Sequence, residues 1–419
     1  MNEAETGSAD HTAWKPRLRA SVRIGEVLYE GPRPVVFVTD LQTGLYLRVG
    51  VREAFLFRLL DGNHTREDAS ELHEARYGAA LDEAQWNTLL TTLAQRCLLE
   101  PADPATVQAL ALRLTDNRRA GATLLHRRFP VPVLAGTVPV VARRTAWILH
   151  PLVVGIGTAT SLAICAAGIV GFSRLVEESA ATPWRAPLVL AVVLITAVVI
   201  VLHEYGHGVA CSVYGGRPQE MGLLWRFPIL APYCKVDDIM VLPRRHRVMI
   251  SFAGIYINLL ALIPYAALWY LAPQGSFARA LGAGLLLVGI FAALVNLIPI
   301  FFLDGHRMAE HATGTHKLAA ASVTAVGDVI ARRREALCRY PGRILAACLG
   351  YAAVSAVCVL VLGTLIVRSW WLTLESLWGP LAASAFLVAE AVLIGLLAIG
   401  YQRWRQRRGI GATGGVGRA

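Results

Sequence analysis

Two histidines four positions apart with a glutamate between them, His203-Glu204-Tyr205-Gly206-His207, close a run from Ala186 to Leu202 that is almost wholly apolar. On a helix this spacing puts both imidazoles on one face, where both can reach a single Zn²⁺. The glutamate beside them is then placed to act as base towards an attacking water. Ionisable side chains in an apolar span are costly, so their presence there is itself a pointer to function. Two imidazoles leave a hydrolytic zinc site short of one protein ligand. A carboxylate candidate is Asp304, which the pattern places at the end of a later apolar helix, followed by Gly305.

The elements that must hold these groups read as membrane helices. Of 419 residues, 55% are hydrophobic and 16% charged, and the mean hydropathy is +0.50, outside the soluble range. Six runs reach the roughly 20 residues a bilayer requires: Ala146–Phe172, Pro187–Ala210, Val248–Leu271, Ala280–Leu303, Ile344–Val367 and Leu381–Tyr401. Basic residues gather before the first run, after the second and fourth, and in the tail. That bias predicts both termini on the cytoplasmic side of a cell membrane of the bacterial inner-membrane kind. Spans 2 and 4 then run the same way and bring His203, His207 and Asp304 to similar depth. The net charge of +11 is accounted for by this bias and by anionic lipid, without nucleic acid. The seven cysteines form no C-x-x-C pair and read as small core residues of a reducing compartment. Cys234, in a loop near the histidines, could approach the site. The loop Gly215–Leu242 reads as a hairpin partly inserted in the membrane, with Asp237 and Asp238 as solvated charges. His306 reads as a supporting or solvent-facing residue, and His246, His311 and His316 as surface residues.

Ahead of the membrane part, residues 1–18 are polar and expected to be disordered, and 19–101 read as a small α+β domain of winged-helix type. Its strands are Val22–Tyr29, Pro34–Val38 and Leu45–Val49. Its second helix starts at Thr65 with Asp68 reaching back, its third at Asp82 with Gln85 three residues on. Residues 102–145 read as a linker, with Leu124–Pro130 lying at the membrane surface. Beyond the core at 146–310 follow a cytoplasmic loop (311–343), two spans (344–402) and a basic, Gly-rich tail (403–419). The strand pair, Leu59-Leu60-Asp61-Gly62, Glu71-Leu72…Tyr77-Gly78 and Leu98-Leu99 resemble the leader-peptide-binding domain named for the pyrroloquinoline quinone chaperone. In that family a leader adds a strand to an exposed sheet edge.

The membrane part resembles the site-2 protease family of intramembrane zinc metallopeptidases. The resemblance rests on His203–His207, on Ala253-Gly254-x-x-x-Asn258, and on Asn296-x-x-Pro299-x-x-x-Leu303-Asp304-Gly305. It departs from the family at Ile255 and Phe302, where prolines are usual. It implies that His203, His207 and Asp304 bind zinc and that Glu204 activates water. It implies that Asn258 and Asn296 hold the substrate backbone or the developing oxyanion; a purely interhelical hydrogen bond is the alternative for each. The fold class expected is a polytopic α-helical membrane protein of six spans carrying that small cytoplasmic domain. Three functions are compatible with it. The first is removal of the leader from a ribosomally made precursor peptide, alongside peptide-modifying or export proteins. The second is cleavage of a transmembrane regulator. The third is a metal-free peptide-binding accessory.

Overall fold

The computed structural model describes residues 14–119, 126–226, 229–300 and 303–407. The expectations for residues 1–13, for Leu124-Leu125 and for 408–419 lie outside them. The polypeptide divides into two units, Met1–Ala353 and Val354–Ala419.

The first unit opens with strands β1 (Arg17–Leu18), β2 (Val22–Glu30), β3 (Arg33–Asp40) and β4 (Leu45–Val49), then helices α1 (Val51–Leu59), α2 (Arg66–Tyr77) and α3 (Glu83–Gln95), and β5 (Leu99–Glu100). Strands β2, β3 and β4 form one antiparallel sheet in that order, and β1 pairs with β5. Arg17 and Leu18, expected within a disordered end, therefore belong to the fold: Leu18 packs on the core built from Leu56, Phe57, Leu60, Trp86, Leu93 and Leu98. Both expected helix starts are reciprocal caps. Thr65 accepts from the Asp68 amide while Asp68 accepts from Thr65 N–H, and Asp82 and Gln85 do the same, satisfying amides that a first helical turn leaves over.

Next come α4 (Pro104–Arg119), β6 (His126–Pro130), α5 (Pro132–Thr145), α6 (Pro151–Val170), α7 (Phe172–Ala180) and α8 (Arg185–Val213). Strands β7 (Glu220–Arg226) and β8 (Ile229–Lys235) lead to α9 (Arg244–Leu271), α10 (Phe277–Leu297), α11 (Asp304–Thr313), α12 (Leu318–Ile330), α13 (Arg334–Cys338) and α14 (Gly342–Trp378), and α15 (Pro380–Arg407) ends the described chain. Five of these helices, α6, α8, α9, α10 and α14, are long and apolar enough to cross a membrane. In the second unit Gly379 lies between α14 and α15 with φ of +82°. Trp370, Trp371 and Trp378 belong to α14.

Helices α6, α9 and α10 approach closely because small residues face their neighbours. Ser161 Oγ donates to Leu259 O at 2.8 Å, and a Cβ at Gly157 would fall 2.8 Å from the Tyr256 hydroxyl. At the opposite end from the histidines, Glu178 accepts from Arg279 Nε and Trp269 Nε1, each at 2.7 Å. The Arg279 guanidinium holds this carboxyl down at about 2, so α7, α9 and α10 are pinned by one anion.

The loop expected as a hairpin is one, but it is the outer part of a three-stranded sheet, β6-β7-β8. His126–Pro130, part of the segment expected at the membrane surface, is a strand that pairs antiparallel with Gly222–Arg226. The N-terminal sheet also rests on this region. A short 3-10 helix, Asp237–Val241, follows β8, and a Cβ at Gly25 of β2 would fall 2.8 Å from Met240 O. Tyr29 N–H donates to Gly314 O and His316 N–H to Tyr29 O, at 2.9 and 2.7 Å. Arg247 of α9, 1% exposed, reaches Glu26 Oε2 at 3.2 Å.

Candidate metal centre

Histidines 203 and 207 lie one turn apart on α8, each 8% exposed, with ring centroids 5.0 Å apart and nearly perpendicular. His203 Nε2 is 2.8 Å and His207 Nε2 is 3.3 Å from the same atom, Asp304 Oδ2. The ligand atoms of the three residues all lie within 4.8 Å of one another. His207 Nδ1 lies 2.7 Å from Ile250 O. A carbonyl only accepts, so Nδ1 carries the proton, and in the neutral ring Nε2 presents its lone pair to the centre.

Asp304 Oδ2 is buried and receives no directed hydrogen bond, although two imidazole nitrogens crowd it. An acceptor left this way is costly unless a cation sits between the converging lone pairs. Two imidazoles and one carboxylate, with room for a further ligand, are a donor set that suits Zn²⁺. The chain also leaves space for it. A Cβ at Gly254 of α9 would fall 2.6 Å from His203 Nε2 and overlap His207 Nε2. Glycine is therefore required there by the histidine pair.

The position of Asp304 differs from the expectation. It does not end an apolar helix; it begins α11. Helix α10 stops at Leu297, and Ile298 is extended with ψ of 130°, as the clash of a following proline ring, here Pro299, demands. Gly305 packs so closely on the end of α10 that a Cβ would lie 2.6 Å from Ile298 O. At a helix N-terminus the carboxylate also faces the positive end of the helix dipole.

Glu204 sits beside the trio, and its Oε2 accepts from Cys234 N–H at 2.9 Å. Cys234 thus approaches the site through its backbone amide, and its thiol is outside the metal-ligand group. Because that amide points at α8, the outer edge of β8 faces the glutamate. Residues on one edge alternate, so Pro232 also has its nitrogen on this side, where a missing N–H breaks no ladder bond.

Asn258 and Asn296, His203 and Glu204 border one cavity of about 310 Å³. Asn258 is buried, and Asn296 Nδ2 donates to Ala292 O at 3.1 Å within its own helix. All six residues singled out from the sequence are therefore brought to one place. The Ile250 carbonyl contact was not foreseen and had no signal; Cys234 was expected near the site, though not through its amide, and the space at Gly254 had a signal as the glycine of the Ala253-Gly254-x-x-x-Asn258 element.

The remaining histidines are less exposed than their sequence context suggested. His306 pairs with Glu310 at 3.3 Å, and His311 is 3% exposed. His316 lies 3.2 Å from Glu310, and His246 stacks on Tyr214. The side chains of Asp237 and Asp238 lie outside the described residues. No family model, curated protein or solved structure matches this chain.

Proposed function

We propose that this chain is a membrane-embedded zinc endopeptidase of the site-2 protease kind that removes the leader from a ribosomally made precursor peptide. The observation that carries the reading is the meeting of two imidazole Nε2 atoms on one carboxylate oxygen beside a glutamate in an apolar helix. His203, His207 and Asp304 would hold Zn²⁺, which supplies Lewis acidity towards water and the peptide carbonyl. Glu204 takes the proton of the attacking water and passes it to the leaving amine. The Cys234 amide orients that carboxylate until substrate arrives. Asn258 and Asn296 are amide donors for the substrate backbone or the oxyanion.

The N-terminal region is read as a winged-helix-type leader-binding domain. Strand β4 is the outer edge of its sheet, with no strand beside it among the described residues, and a leader can add there. Helix α15 is read as the sixth span, which puts both termini in the cytoplasm of the bacterial cell. The partners in this reading are the precursor peptide and the lipid bilayer, with modifying or export proteins alongside. Cleavage of a transmembrane regulator is the second reading, favoured by a cavity that lies between apolar helices.

Glu204→Gln, reconstituted with zinc, is expected to keep its metal and lose at least about a thousandfold in cleavage of a precursor peptide. Wild-type cleavage by this variant contradicts the assigned base. Saturable binding of leader peptides to the full chain separates the two substrate readings, since only the first requires it.

A further inference from the structure

The cavity beside the candidate centre extends well past the groups needed for hydrolysis. Beyond His203 and Glu204 it follows one face of α8 through Ile200 to Thr196. At 1.5 Å per residue, Thr196 lies roughly 10 Å along the helix from His203. Helix α9 contributes Ala261 and Tyr265, and α10 contributes Val288 and Ala292. The three faces converge because α9 runs antiparallel to α8 and α10, so each carries its wall away from the metal ligands in step with the others. Apart from Thr196 and the Tyr265 ring, these walls are aliphatic. The cavity is open on the side where Ile200 and Val288 are exposed, and its volume of about 310 Å³ exceeds the roughly 150 Å³ that takes benzene in an enclosed apolar site.

Resting on the peptidase reading, we infer that this cavity is the specificity subsite for one large apolar side chain, aromatic or branched, adjacent to the scissile bond. The two asparagines line it together with His203 and Glu204, where a peptide backbone would pass, and no charged side chain lines the part beyond Glu204. A charged or strongly polar residue at that substrate position would be desolvated without a partner and refused. A small residue would leave the space unfilled and gain little. Ala261 and Ala292 set the width, because both present only a methyl group to it.

The test uses the full-length, zinc-loaded protein in detergent and two zinc-binding probes, acetohydroxamate and 3-phenylpropionohydroxamate, with calorimetric binding as the readout. The wild type is expected to bind the phenyl probe at least about tenfold more tightly. Ala261→Leu and Ala292→Leu, each keeping full zinc content, should reduce that preference to about twofold or less and leave acetohydroxamate binding unchanged. Micelle partitioning of the phenyl probe is common to all variants and cancels in the comparison. An undiminished phenyl preference in both variants overturns the subsite while the metal reading stands. Failure of the zinc-treated wild type to bind either probe overturns both.

Discussion

Two carboxylates on α11 each sit between a pair of histidines, and they do different things with them. Asp304 offers a single oxygen to two imidazoles, at 2.8 and 3.3 Å, and that oxygen has no directed hydrogen bond. Glu310 offers its two oxygens separately, Oε2 to His306 at 3.3 Å and Oε1 to His316 at 3.2 Å, and Oε1 also accepts from Lys317 N–H at 2.9 Å. The first arrangement points three lone-pair donors at one place and borders a cavity. The second divides the carboxylate among donors on the chain that meets β2 of the N-terminal sheet. The same residue types thus form a candidate cation site when their donor atoms share one focus, and a brace when they do not. Composition cannot separate the two; the number of oxygens used does.

The contrast is most sharply broken at Gly254, whose missing side chain is the space both imidazoles occupy. Gly254→Leu should lose zinc by at least about a hundredfold in affinity, as measured by metal content after dialysis against a competing chelator. Gly155→Ala, on α6 with nothing within 4 Å of the new methyl, should keep it. Equal zinc in Gly254→Leu and wild type would separate the glycine from the centre.

A smaller but still large effect is expected at the brace. Glu310→Gln leaves His306, His316 and the Lys317 N–H beside an uncharged amide, and a hydrogen bond to a charged group typically contributes about 1.5–3 kcal/mol. Thermal unfolding should shift down by several degrees while zinc stoichiometry is retained. Loss of zinc with unchanged unfolding would reverse the roles assigned to the two carboxylates.

Acid should loosen the brace next. Burial, with Arg247 and Arg307 nearby and against the pull of Glu310, holds the His311 imidazole down at about 3. In the unfolded chain it titrates near about 6.5. Stability from neutral His311 is therefore full above about pH 6.5 and falls as pH drops towards 3, by on the order of 1 kcal/mol per unit. Glu310, pulled below the usual carboxylate range by His306 and His316 despite its burial, adds a second loss below about pH 4.5. Unfolding temperatures of the metal-free protein should follow this slope, and His311→Asn should flatten the upper part of it. An unchanged slope in that variant would place the acid sensitivity elsewhere.

Much of the centre was legible because its signals are local. Histidines four apart on a helix share a face whatever surrounds them, and the Thr65 and Asp82 caps are complete within four residues. Asp304 was legible as a candidate ligand but not in its setting. Ile298–Leu303 is as apolar as the helix before it, so hydropathy runs through a break that Pro299 imposes. Strand β6 was hidden for another reason: His126-Arg127-Arg128-Phe129-Pro130 becomes a strand only by pairing with residues nearly a hundred positions later. The brace was missed because the groups packed on His311 and His316 come from α9, β2 and β3, among them Arg247, Tyr29 and Phe37, far away in the chain.

The most direct test is zinc bound per chain in two full-length variants measured side by side, Asp304→Ala and Glu310→Ala. One zinc per chain is expected in the wild type and in Glu310→Ala, with none retained in Asp304→Ala. Zinc retained at the wild-type level in Asp304→Ala would contradict the shared focus on which the whole reading rests.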